Sequence, residues 1–144
     1  MATEGYLLDT NILVALIRGN ALGRYVERTY LLSQQILLCA ISVVTVGEMY
    51  ALGHKWGWGE KKLQRLHDLL DKIVQVSIDH EFILQAYGKL NAYCEKHGWS
   101  IGQNDLWIAA TAHVTELTLL TTDRDFDFLH GDWIQRIWID PNQK

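Results

Sequence analysis

Proline is nearly absent: Pro141, close to the carboxyl end, is the only one in 144 residues. No proline-rich linker is therefore present, and no internal repeat or low-complexity tract interrupts the chain. Cysteine is scarce too. Cys39 and Cys94 fall in a predicted strand and a predicted helix, without the spacing of a metal site. That excludes a disulfide framework and leaves buried free thiols in a reducing cytoplasm. No apolar run approaches the roughly 18 to 20 residues that span a membrane. The amino terminus has an acid, Glu4, and no basic region ahead of an apolar stretch, so it does not read as a secretory signal. Positive charge is in deficit, with 13 Lys and Arg against 17 Asp and Glu, a net −4. A protein that coats nucleic acid by bulk charge is excluded. A nuclease is not, because acids gathered around a cation lower the net charge while the ion reverses their local effect.

What is present describes one globular domain over residues 1–144, 49% hydrophobic and 21% charged. Six tryptophans is a high number for this length. The turn 56–59 and the tail 133–139 hold two each. Core filling is the first reading, since large aromatics are mostly buried; a protein-docking surface is the second.

Tyr6-Leu7-Leu8 is a short apolar run without alternation, which predicts a strand buried on both faces and ending at Asp9. A helix follows over 12–17 and stops at Gly19-Asn20. Further helices are predicted over 21–34, 43–54 with Ser42 as cap, 60–70, from Asp79 or His80 to 97, and 104–116. In the helix ending near residue 97, Phe82, Ala86, Leu90 and Tyr93 are expected inward. Strands are predicted over 36–41, 73–78, 118–121 and, at an edge, 134–139, with 123–126 a turn or short helix. Strands separated by helices imply parallel pairing through right-handed crossovers, hence an α/β fold.

Four carboxylates stand out. Asp9 ends the first strand, Asp105 opens a helix, Asp123 follows a strand, and Glu48 lies inside an apolar helix. Strand ends and helix starts lie on one edge of a parallel sheet, where open α/β folds place their ligands. Several carboxylates in one dry pocket repel and raise one another's pKa, and a hard divalent cation removes the difficulty. Magnesium and manganese favour oxygen ligands; without a His or Cys cluster, zinc is disfavoured. Such sites serve phosphoryl chemistry by activating water. Singly, each acid has a plainer reading: Asp9 and Asp105 as helix caps, Asp123 and Asp125 as turn formers, Glu48 as a solvent-facing side chain. Their joint placement is the signal.

Four segments, L-L-D-T-N-I-L at 7–13, S-V-V-T-V-G-E-M at 42–49, N-D-L-W-I-A-A-T-A at 104–112 and L-L-T-T-D-R-D-F at 119–126, together resemble the PIN-domain family. Within it they resemble the VapC toxins of bacterial type II toxin–antitoxin systems. The resemblance implies a three-layer α/β/α sandwich with a central, mostly parallel sheet. It also implies a magnesium- or manganese-dependent ribonuclease that hydrolyses RNA phosphodiesters. Asp9, Glu48, Asp105 and Asp123 match the family's acidic quartet, with Asp9 and Asp105 as its most regular direct metal ligands. Asn11 and Thr122 match polar residues lining the site, and Asp125 matches an additional acid. A homodimer and a small antitoxin are implied as well, the antitoxin lying in a groove built by the helices over 43–54 and 60–70.

Two other classes compete. One is a non-catalytic protein-binding module whose acids are only caps; the other is a DNA-directed nuclease of the same fold. A haloacid-dehalogenase-like phosphatase needs a second acid two residues after the first, and Asn11 stands there. A receiver-type phosphoacceptor needs paired early acids and a late lysine, and neither pattern is present. Basic residues for substrate contact are named by composition only: Arg18, Arg24, Lys55, Lys61 and Lys62.

Overall fold

The computed structural model of the chain describes residues 5–143. Glu4, used above to argue against a signal, lies outside them. The first strand, β1 (Tyr6–Leu8), leads through Asp9 into α1 (Thr10–Arg18), which Gly19 closes in the left-handed region at φ 62°. Asn20 then caps α2 (Ala21–Tyr30), its side chain accepting from the Gly23 amide at 2.9 Å. α1 and α2 meet at Gly23. A Cβ there would lie 2.1 Å from the Ala15 carbonyl oxygen, so only glycine lets the two backbones approach.

The chain continues as β2 (Cys39–Ser42), α3 (Val43–Lys55), α4 (Glu60–Lys72), β3 (Val74–Val76), α5 (Glu81–Lys96), α6 (Gln103–Thr115), β4 (Thr118–Thr121) and β5 (Arg136–Trp138). Short 3-10 helices span Ile36–Leu38 and Arg124–Leu129. The five strands form one sheet in the order β3-β2-β1-β4-β5, every pair parallel. As expected, the last strand is an edge.

Strand alternation sorts the core into two layers. Leu8, Ile41 and Leu120 face the side covered by α1 to α4, where Ile12, Val26, Met49 and Leu66 pack. Leu7, Ala40 and Leu119 face the other side, covered by α5 and α6 through Ile83, Leu90, Leu106 and Ile108. The result is the three-layer α/β/α sandwich. Each fully buried aliphatic side chain contributes about 1.5–3 kcal/mol. Among the described residues no helix is long and apolar enough to cross a membrane. Cys39 and Cys94 are free and buried.

Three expectations need correction. The second strand begins at Cys39, not Ile36; residues 36–38 form a 3-10 turn with Leu37 83% exposed. Cys39 pairs opposite Tyr6, the first residue of β1, so no β1 strand residue lies opposite 36–38. Phe82 points outward, 62% exposed, because the buried stripe of α5 is Ile83, Ala86, Leu90 and Cys94, one residue and about 100° away. The tryptophans divide: Trp58 belongs to the core, whereas Trp56 lies exposed beneath Arg18.

Candidate active site

Asp9 occupies the carboxyl end of the central strand. Its amide donates to the Leu120 carbonyl at 3.0 Å, locking it beside β4. One carboxylate oxygen accepts from the Thr10 amide at 2.8 Å, as the N-cap of α1. The other accepts from the Thr121 hydroxyl at 2.6 Å. Burial pushes the Asp9 carboxyl up to about 6, against the pull of those two hydrogen bonds, and the charges of Asp123 and Glu48 add to the rise.

The same two threonines tie in the neighbouring acids. Thr121 accepts from the Asp123 amide at 2.9 Å. Thr10 donates its hydroxyl to Glu48 Oε1 at 2.7 Å and stands 3.2 Å from Thr45 Oγ1. Glu48 is thus turned from α3 toward the start of α1. Asp105 comes from the first turn of α6. Burial, then repulsion from Asp9, Asp123, Glu48 and Asp125, pushes its carboxyl up to about 7. Asp123 caps the second 3-10 helix, accepting from the Asp125 amide at 2.8 Å.

All five acids therefore share one electrostatic neighbourhood at the carboxyl edge of the sheet. Asp105, Asp123 and Asp125 each offer an oxygen within 4.8 Å of the others. Asp9 adds its carboxylate from the strand end, already held by two donors. Of the polar residues expected to line the site, Asn11 is exposed on α1, and Thr122 uses its carbonyl to accept from the Trp138 indole at 2.9 Å. Sequence reading missed Thr10, Thr45 and Thr121, three hydroxyls no more than 7% exposed. The one local signal was Thr121, a polar residue directly after the apolar pair Leu119-Leu120.

The donor set suits a hard divalent ion. It is made of carboxylate oxygens, and two of its members, Asp9 and Asp105, hold protons well above the usual carboxylate range. Positive charge placed between them would remove the repulsion that raises those values. An apolar hollow lies elsewhere. About 620 Å³ in volume, it opens between α1, α2 and α4, lined by Leu16, Ile17 and Leu69 with Arg24, Arg28 and Arg65, and no acid of the cluster reaches it.

Known proteins are similar to this chain in sequence and in fold. Ribonuclease VapC1 of Haemophilus influenzae strain R2866 is 32% identical over 136 residues, covering 89% of this chain and 97% of the relative. The structure of VapBC2 from Rickettsia felis bound to a DNA fragment from their promoter is similar at a TM-score of 0.77 and 26% identity, covering 94% of this chain and 98% of that one. A toxin–antitoxin complex from Klebsiella pneumoniae matches at 0.68 and 25%, covering 97% and 100%. The PIN domain profile matches residues 6–130. That span holds the acid cluster and four of the five strands, and the chain belongs to the PIN-domain family, in the group that holds the VapC ribonucleases.

Proposed function

We propose that this protein is a magnesium- or manganese-dependent endoribonuclease and the toxin of a toxin–antitoxin pair. The carrying observation is the convergence of Asp9, Glu48, Asp105 and Asp123 on one edge of the sheet, where burial and neighbouring charge raise the carboxyls of Asp9 and Asp105. The related VapC ribonuclease supports the choice of RNA.

In this reading Asp9, Asp105 and Asp123 hold the ion, Glu48 completes the site directly or through water, and Asp125 stands close enough to join. The chemistry such an ion supplies is activation of water and neutralisation of charge on the phosphodiester. The chain's own part is orientation. Thr121 and the Thr10 amide fix both Asp9 oxygens, and the Thr10 hydroxyl aims Glu48. Because these hydrogen bonds exist before substrate arrives, little reorganisation is left for the reaction.

The partner is a small antitoxin, as the similarity to VapBC and toxin–antitoxin complexes supports. Its apolar segment would occupy the hollow between α1, α2 and α4, with acidic side chains on Arg24, Arg28 and Arg65. A homodimer is part of the proposal; Phe82 and Leu84, exposed on α5, are apolar side chains a second copy would cover. The free thiols fit the reducing cytoplasm.

Asp9→Asn should abolish RNA cleavage by a folded protein, and EDTA should stop the parent until magnesium or manganese is restored. Circular dichroism establishes folding, and gel analysis of single-stranded RNA reads the cleavage. Undiminished cutting by the folded variant would sink the reading.

A further inference from the structure

Four of the five basic residues named by composition have places in the fold that involve none of the acids. Arg18 ends α1, nine residues after Asp9 and so roughly 13 Å along the helix. Arg24 donates to the Gly19 carbonyl at that same end, 2.8 Å away. Lys55 closes α3 seven residues beyond Glu48, roughly 10 Å further along. Lys62 lies over Trp58. A different cation stands beside the cluster. Arg124 sits between Asp123 and Asp125, and its guanidinium carbon lies 3.8 Å from the centroid of the Trp138 ring.

We propose that Arg124, held over the face of Trp138, binds an RNA phosphate flanking the one that is cut. The inference rests on the ribonuclease reading above. Position is the first argument. Trp138 ends β5 in register with Thr121, the last residue of β4, so the stack and the acids share the carboxyl edge of the sheet. Rigidity is the second. The Trp138 indole N–H donates to the Thr122 carbonyl at 2.9 Å, which fixes the ring beneath the guanidinium. A stacked guanidinium keeps its edge N–H groups free, and their planar fork matches phosphate oxygens.

Charge is the third argument. Asp127 is the acid that pairs with Arg124, at 3.4 Å, but Arg136 approaches it more closely, at 3.0 Å. Two guanidiniums share one carboxylate, leaving one positive charge over. The Arg124 side chain is 65% exposed, against 21% for Arg136, so the free charge is on the accessible partner. A phosphodiester approaching five acids on a chain of net charge −4 needs such an offset. Contact with a flanking phosphate is the same in ground and transition states, so Arg124 is a positioning residue whose loss raises KM more than it lowers kcat.

The test places Arg124→Gln, Arg124→Lys and Trp138→Leu on an Asp9→Asn background and titrates fluorescent single-stranded RNA with magnesium across a salt series. Arg124→Gln should weaken binding about tenfold and reduce the slope of log K against log salt by about 0.7. Arg124→Lys should keep the slope and lose part of the affinity. Trp138→Leu should weaken binding although the Arg124 charge is intact. In the cleaving parent, Arg124→Gln should raise KM more than it lowers kcat. An unchanged slope and KM overturn the proposal while the nuclease reading stands. An unchanged slope with lost antitoxin binding also overturns it, assigning Arg124 to the protein partner. If the parent neither binds nor cuts RNA, the nuclease reading fails and takes this inference with it.

Discussion

One hydroxyl carries an unusual share of the site. Thr121, fully buried, donates to Asp9 and accepts from the Asp123 amide, so a single oxygen joins two acids 114 residues apart. Thr121→Val keeps the shape and removes both contacts. Leaving the Asp123 amide and an Asp9 oxygen unpaired should cost about 1–3 kcal/mol, read as a lower melting temperature. The pH effect has a defined direction. The Thr121 hydrogen bond lowers the Asp9 pKa, so its loss moves that group above about 6. The acid limb of the cleavage profile should shift to higher pH, and Thr121→Ser should restore it. An unshifted limb in the valine variant would show that Asp9 does not govern it.

At the scale of elements, close approach of backbones decides as much as side-chain packing. Gly23 is where α2 crosses α1, and the Ala15 carbonyl leaves no room for a methyl group. Gly23→Ala should destabilise the fold by about 1–3 kcal/mol through forced separation of the helices. Chemical denaturation measures this, and a neutral result would mean that α2 shifts freely. Elements governed by local chemistry were legible in the sequence. Ser42 and Gly19 bound their helices as capping rules require, and Asp9 and Asp105 could be placed at helix starts for the same reason. What depends on distant partners was not legible. The 3-10 turn at 36–38 exists because β2 first meets β1 at Cys39. Phe82 was misplaced because Ala86 and Leu90 can share a stripe with either Phe82 or Ile83, and only packing against α6 selects between them. The Thr10–Glu48 and Asp9–Thr121 contacts bridge 38 and 112 residues, and nothing local encodes them.

For the whole molecule, the cluster couples stability to protons and cations. Asp9 and Asp105 have folded pKa values of about 6 and about 7, against 3.8 for an ordinary aspartate. Below about pH 4 both states are protonated and the fold has its full contribution from these groups. As pH rises through 6 and 7 the native carboxyls ionise against one another and that contribution is lost. With a chelator present, the melting temperature should fall between pH 5 and pH 8. Magnesium should reduce the fall, because the ion replaces the missing protons and binds only the folded arrangement. A melting temperature that rises over this range, or a fall that magnesium leaves unchanged, would contradict the electrostatic account.

Strand β4 lies between β1 and β5, yet 117 residues precede Thr118. During synthesis the pairing of β1 with β4 can form only after β4 has left the ribosome, and Asp123 follows that strand by two residues. A truncated product would hold Asp9, Glu48 and Asp105 without the strand that gathers them. The pocket therefore draws on both halves of the sequence, and a chain ending before residue 118 lacks Thr121 and Asp123 together.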